Sequence, residues 1–130
     1  MVAAARYGYV VLIWLFLAGL VVQVFLAGLG MFSDDPRDVG LHIDLGWILH
    51  LAPVLVLAAA AIGRAGRDTL LWAAALVVSV GVQPFLPALA DTSLILAALH
   101  PVNALVMFWI AVRLAIASLA LLPGRAAAAG

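Results

Sequence analysis

The chain contains no cysteine and no lysine, and charged residues fill only 9% of its 130 positions. Without a thiol there is no disulfide framework, no cysteine zinc site and no iron–sulfur centre. A soluble domain carries roughly a quarter of its residues as charge, so the scarcity here excludes that class. The six basic residues are all arginines, spread along the chain without forming a stripe. That excludes nucleic acid as a partner. No Ser-His-Asp triad, Walker loop or paired glutamates occur, so neither a hydrolase nor an ATPase is indicated.

What is present in excess is apolar surface. Hydrophobic residues make up 68% of the chain, and the mean hydropathy is +1.30. A bilayer is the solvent that suits such a composition. A spanning helix needs about 20 mainly apolar residues, and four stretches meet or approach that length. They run from about Tyr7 to Phe32, Val39 to Gly63, Thr69 to Leu86 and Ser93 to Leu122. Helices are the economical spanning form for such long runs. The predicted fold is therefore all-α: a single antiparallel four-transmembrane-helix domain over residues 1–130.

The breaks carry turn and cap chemistry. Ser33-Asp34-Asp35-Pro36-Arg37-Asp38 is a polar turn in which Ser33 or Asp35 can cap the second helix, with Pro36 in its first turn. Gly63-Arg64-Ala65-Gly66-Arg67-Asp68 is a short basic hairpin, with Asp68 as the expected cap of the third helix. Pro84, Pro87, Asp91 and Thr92 separate the third and fourth spans. Arginines near the span ends set orientation. Arg6, Arg64, Arg67 and Arg125 gather on one side, approached by Arg113, whereas Arg37 stands on the other beside Asp34, Asp35, Asp38 and Asp91. The expected topology places both termini inside and the acidic loops outside. The first run is longer than the roughly 7–15 residues of a signal-peptide core, and no A-x-A site follows it, so it reads as a retained helix. Alanine-rich, arginine-only usage points to a bacterial chain, and hence to the cytoplasmic (inner) membrane.

Polar groups inside a membrane are costly and tend to be paired or functional. Here they are Gln23, His42, Asp44, His50, Gln83, His100 and Asn103, with Ser79 and Ser118 as minor members. At about 1.5 Å per residue, Gln23 lies about 13 Å in from the outer end of its span. His50 lies about 12 Å deeper than His42, and His100 is about 10 Å deep. Each span thus places a polar residue in the outer half, which points to one shared site; unrelated interhelical hydrogen bonds are the plainer alternative. All three histidines fall in that half. Imidazole there serves metal or heme ligation, proton relay or structural hydrogen bonding.

Facing helices that each offer a histidine can hold one heme iron, through His42 with His100 or His50 with His100. Depth does not choose between the pairs. Gly46, four residues after His42, leaves room beside that ligand or allows close helix packing. Pro101 frees a carbonyl one turn earlier, and the resulting kink can re-aim His100. Asn103 can orient a ligand or tie its helix to Gln23 or Gln83. Asp44 faces away from His42, and is expected to reach water or to pair with Arg37, a metal or proton role being the alternative. Trp47, Trp109, Phe25, Phe32 and Phe85 can pack around a cofactor or face lipid. Tyr7, Tyr9, Trp14 and Trp72 read as interface anchors.

The segments Gln23-Val24-Phe25-Leu26-Ala27-Gly28, Leu41-His42 with Gly46, Gln83 and Leu99-His100-Pro101-Val102-Asn103-Ala104 resemble an uncharacterised family of small bacterial four-helix membrane proteins, over about residues 20 to 112. His-x-x-x-Gly and histidines on alternate helices also look like small b-type membrane cytochromes and the four-helix halves of heme A synthase. The arginine-rich and glutamate motifs of the latter are absent, which favours a carrier or binding protein over an enzyme. The expected function is a bis-histidine heme b protein exchanging electrons with a quinone or an external partner. Gln23, Gln83 and Asn103 would act behind the ligands. The alternatives are a module in which the histidines bind zinc, copper or a small molecule, and an accessory subunit of a homo-oligomer or larger membrane complex.

Overall fold

The run from Val2 to Phe32 has no proline to interrupt its backbone ladder, and it forms one helix, α1, in the computed structural model, which describes residues 1–122. Asp35 then caps α2 (Pro36–Ile62), its carboxylate accepting from the Arg37 N–H at 2.9 Å with Pro36 at the start of the helix. This is the cap and proline placement that the sequence calls for. The same carboxylate accepts from the Arg37 guanidinium at 2.7 Å. That contact, reinforced by the backbone bond, holds the Asp35 carboxyl below its ordinary value.

At its far end α2 closes with the Ala65 N–H on Ala60 O and the Arg64 N–H on Ala61 O. This is the Schellman pattern, which needs a left-handed residue just past the helix. Arg64 supplies it, at φ 55°. α3 (Arg67–Val82) starts two residues earlier than expected, from Gly66, with no side-chain cap. Asp68 does not cap it but pairs with Arg113 at 3.1 Å. Once the helix begins at Arg67, Asp68 lies inside its first turn and its carboxylate is free to reach across to the last helix.

The third and fourth runs are not single helices. Pro84 and Pro87 end α3, and a single turn, α4 (Phe85–Ala88), follows. The fourth run opens with another turn, α5 (Leu94–Ala97), breaks at Ala98, and continues as α6 (Leu99–Ser118) and a 3₁₀ turn at Leu119–Leu121. Pro101 therefore sits in the first turn of α6, where a missing N–H costs nothing. It starts a helix rather than kinking one. The four runs are long and apolar enough to cross a membrane. No strand occurs among the described residues. The protein is an all-helical, multi-pass membrane bundle whose large exposed apolar side chains suit a lipid surroundings.

α1 packs on α2 and α6, and α3 packs on α2 and α6. α2 and α6 therefore face each other across one diagonal, and α1 and α3 across the other. Buried apolar residues run along one face of each helix: Tyr9, Ile13, Phe16 and Leu20; Val56 and Ala60; Ala73, Leu76 and Val80; and Met107, Ile110, Ala111, Leu114 and Ala115. Most of them lie toward the end that carries Arg6, Arg64 and Arg67, with Leu20 and Val80 reaching past the middle of their helices. Tyr9 is among them, fully buried, its hydroxyl donating to Leu114 O at 3.0 Å. It is a core residue and not an interface anchor, because its position on α1 falls on the inward face with Ile13 and Phe16. Trp72 packs edge-on against Trp109, with the Arg113 guanidinium 4.7 Å from its ring centre. Arg125, counted above with the arginine side, lies outside the described residues.

Candidate functional site

At the opposite end, near the acidic loops, no apolar side chain is fully buried among the described residues, and the half-buried positions include Gln23, His42, His50, Gln83, His100 and Asn103 beside leucines and alanines. Two sets of contacts form there, one on each side of the bundle.

The α3/α6 side follows from two prolines. Pro84 offers no N–H to Val80 O, and the Gln83 N–H takes that acceptor at 3.2 Å. Ser79 O is thereby released, and the Asn103 amide donates to it at 2.8 Å. Pro87 likewise offers no N–H to the Gln83 carbonyl four residues back, and the His100 Nδ1–H donates to that oxygen at 3.1 Å. The Gln83 side chain returns the contact, its Nε2–H donating to His100 O at 3.1 Å. Asn103 completes the set by donating to Gln83 Oε1 at 2.5 Å and accepting from the Ser79 hydroxyl at 2.6 Å. His100 is thus held through both its ring and its backbone.

On the α1/α2 side the helices run antiparallel and close. The His42 Nδ1–H donates to the Gln23 carbonyl at 3.1 Å. A Cβ on Gly46 would come within 3.0 Å of Gln23 Nε2, so the glycine makes room for the Gln23 side chain. His50 turns to its own helix, donating from Nδ1 to Gly46 O at 2.7 Å, with the Trp47 ring centre 5.2 Å away. Among the described residues, His50 Nε2 and Gln23 Oε1 are buried without a hydrogen-bond partner.

The two sides meet at His42 and His100, whose ring centres are 6.3 Å apart with planes crossed at 69°. Both Nδ1 atoms face carbonyl oxygens, which only accept, so each Nδ1 carries the proton and each Nε2 keeps a lone pair. Metal-binding histidines are typically fixed in this way, by a carbonyl or carboxylate at the second nitrogen. Two imidazoles that ligate one ion from opposite sides at about 2.0–2.1 Å each have their ring centres about 6 Å apart, and the separation of His42 and His100 is of that size.

The structure brings together Gln23, His42 and Gly46, and separately Gln83, His100 and Asn103, and it joins the sets through the histidine pair. His50 is not in contact with either member. Asp44 is exposed, and Arg37 pairs with Asp35 rather than with it. Among the described residues no cluster of three or more His, Asp or Glu side chains could hold a metal ion. Ser79 carries more of the site than its sequence position suggests. So do Pro84 and Pro87, whose signal is a proline four residues after the acceptor it releases.

A family model described as a family of unknown function (DUF6220) matches residues 23–90. That is just over half of the chain, and the chain belongs to this family. The match takes in Gln23, His42, Gly46, His50, Ser79 and Gln83, and stops before His100 and Asn103. No curated protein and no solved structure matches the chain.

Proposed function

We propose that this family member is a heme b protein that holds the iron between His42 and His100 and carries electrons in the bacterial cytoplasmic membrane. The observation that carries this reading is the histidine pair, 6.3 Å apart, with both Nδ1 protons committed to main-chain carbonyls. When bound, heme supplies a one-electron couple, and two histidine ligands leave no open position for oxygen chemistry.

The chain does the rest. Gln23 O and Gln83 O draw on the Nδ1–H groups and make each Nε2 a better donor to metal. Asn103, Ser79 and the Gln83 side chain lock α3 to α6, so that the His100 ring points consistently. A zinc or copper centre finds less support, because two imidazoles supply only half of a four-coordinate set, and among the described residues no third His, Asp or Glu joins them. A porphyrin brings its own four nitrogens. With the arginine loops inside, the pair lies in the outer half of the bilayer, within reach of a membrane quinone or an external redox partner.

The test is absorption spectroscopy of detergent-purified protein from heme-supplied cells, before and after dithionite. The expected result is a Soret band with sharp reduced α and β bands, at one heme per chain. His42→Ala and His100→Ala should each remove most of the signal, while His50→Ala should retain it. A featureless spectrum from folded wild-type protein overturns the proposal. So does a signal that survives the double replacement.

A further inference from the structure

Two buried acceptors are left without donors on the α1/α2 side. His50 gives its Nδ1–H to Gly46 O at 2.7 Å, so the neutral ring offers only a lone pair at Nε2, and that atom is buried and unpartnered among the described residues. Gln23 Oε1 is in the same condition. A buried polar atom left unpaired is costly, so two on one side of the bundle call for an explanation.

Both side chains lie beside Gly46: the His50 ring bonds its carbonyl through Nδ1, and the Gln23 amide nitrogen sits 3.0 Å from where its Cβ would stand. Side chains on a helix lean toward its N-terminus. On α1 that direction runs toward the level of His50, because α2 is antiparallel to it. What is missing is therefore a molecule that donates. It must reach a seam whose neighbours Val24, Phe25, Trp47 and Leu51 are exposed on the lipid-facing surface. Trp47, 5.2 Å from His50, offers a flat ring beside it.

We infer that this seam binds the head group of a lipid-soluble hydroquinone, one hydroxyl donating to His50 Nε2 and the other to Gln23 Oε1. A hydroquinone is neutral, planar and carries two donors, which matches two acceptors beside an aromatic ring in an apolar setting. The inference deepens the proposed function. The binding site stands on its own observations, and only its coupling to an electron carrier rests on the heme reading. Gln23 connects the two regions, since its carbonyl holds the His42 ring while its amide faces the seam.

The test uses 2-methyl-1,4-naphthoquinol, kept reduced, and its dimethyl ether, which has the same ring and no O–H. Binding to the purified full chain is read by quenching of tryptophan fluorescence, with Trp47→Phe to identify the reporting residue. The quinol should quench saturably in the wild type. His50→Phe and Gln23→Leu should each weaken it at least tenfold, and the ether should bind at least tenfold more weakly than the quinol. Both variants should keep the wild-type circular dichroism, which separates lost binding from lost folding. No saturable quenching, equal binding of quinol and ether, or unchanged binding in both variants overturns the proposal and leaves a trapped water as the donor. The readout is independent of heme, so the seam and the histidine pair can fail separately.

Discussion

The two halves of this bundle are made from the same four runs, yet they solve different problems. The half near Arg6, Arg64 and Arg67 is closed with apolar side chains: Tyr9, Ile13, Phe16, Leu76 and Leu114 are almost fully buried. Among the described residues its one buried side-chain hydrogen bond between helices, Tyr9 to Leu114 O, ends on a main-chain oxygen. The half near the acidic loops has no fully buried apolar side chain among the described residues. Its helices are joined by Asn103, Gln83, Ser79, Gln23 and the imidazoles of His42 and His100. In lipid, helices gain little from burying apolar surface and associate through packing and hydrogen bonds. One half takes the first route and frames the fold. The other takes the second and spends its specificity on aiming two rings.

The contrast is broken most strongly by Phe16→Ala. Removing a buried ring costs about 3–5 kcal/mol, and reversible unfolding in mixed detergent should show a loss of that size. The absorption spectrum of the protein that remains folded should be unchanged. A spectral change as large as the stability loss would mean that the halves are not separate. Asn103→Leu should behave in the opposite way. It removes contacts that average about 0.6 kcal/mol each in membranes, so the expected destabilisation is about 1–2 kcal/mol. The reduction midpoint and the spectrum should shift, because His100 loses the frame behind Gln83. The smallest expected effect sharpens the boundary of the packed half. Arg64 holds a left-handed conformation at φ 55°, and glycine adopts that shape without a side-chain penalty. Arg64→Gly should stabilise by up to about 1 kcal/mol, with no effect on the spectrum.

The sequence makes the four spans legible because hydropathy is averaged over 20 residues, and single errors cancel. The Asp35 cap is legible because side-chain type and local spacing determine it. The fate of Asp68 is not, since moving the start of α3 by two residues turns a cap into an ion pair with Arg113. Tyr9 reads from the sequence as an interface anchor and is a core residue instead, because a tyrosine near a helix end suits either place and only the helix face decides. The polar residues of the site are visible from cost alone, because Gln23, His100 and Asn103 stand out in such apolar runs. Their pairing is not visible, because His42 and His50 lie at depths that sequence spacing cannot separate. That choice depends on how α2 faces α6 across the diagonal. The roles of Pro84 and Pro87 could have been read by asking which carbonyls lose their donors: Val80 and Gln83, each four residues back. The loss at Val80 then passes to Ser79 when the Gln83 N–H shifts.

The central claim is that His42 and His100 hold one iron between them with crossed ring planes. Electron paramagnetic resonance of the oxidised, heme-loaded protein at low temperature tests it most directly. The account predicts a low-spin, strongly anisotropic ferric signal, as expected for imidazole planes near the observed 69°, most of which is lost in His42→Ala. A wild-type spectrum with no low-spin heme, or one that His42→Ala leaves unaltered, would contradict it.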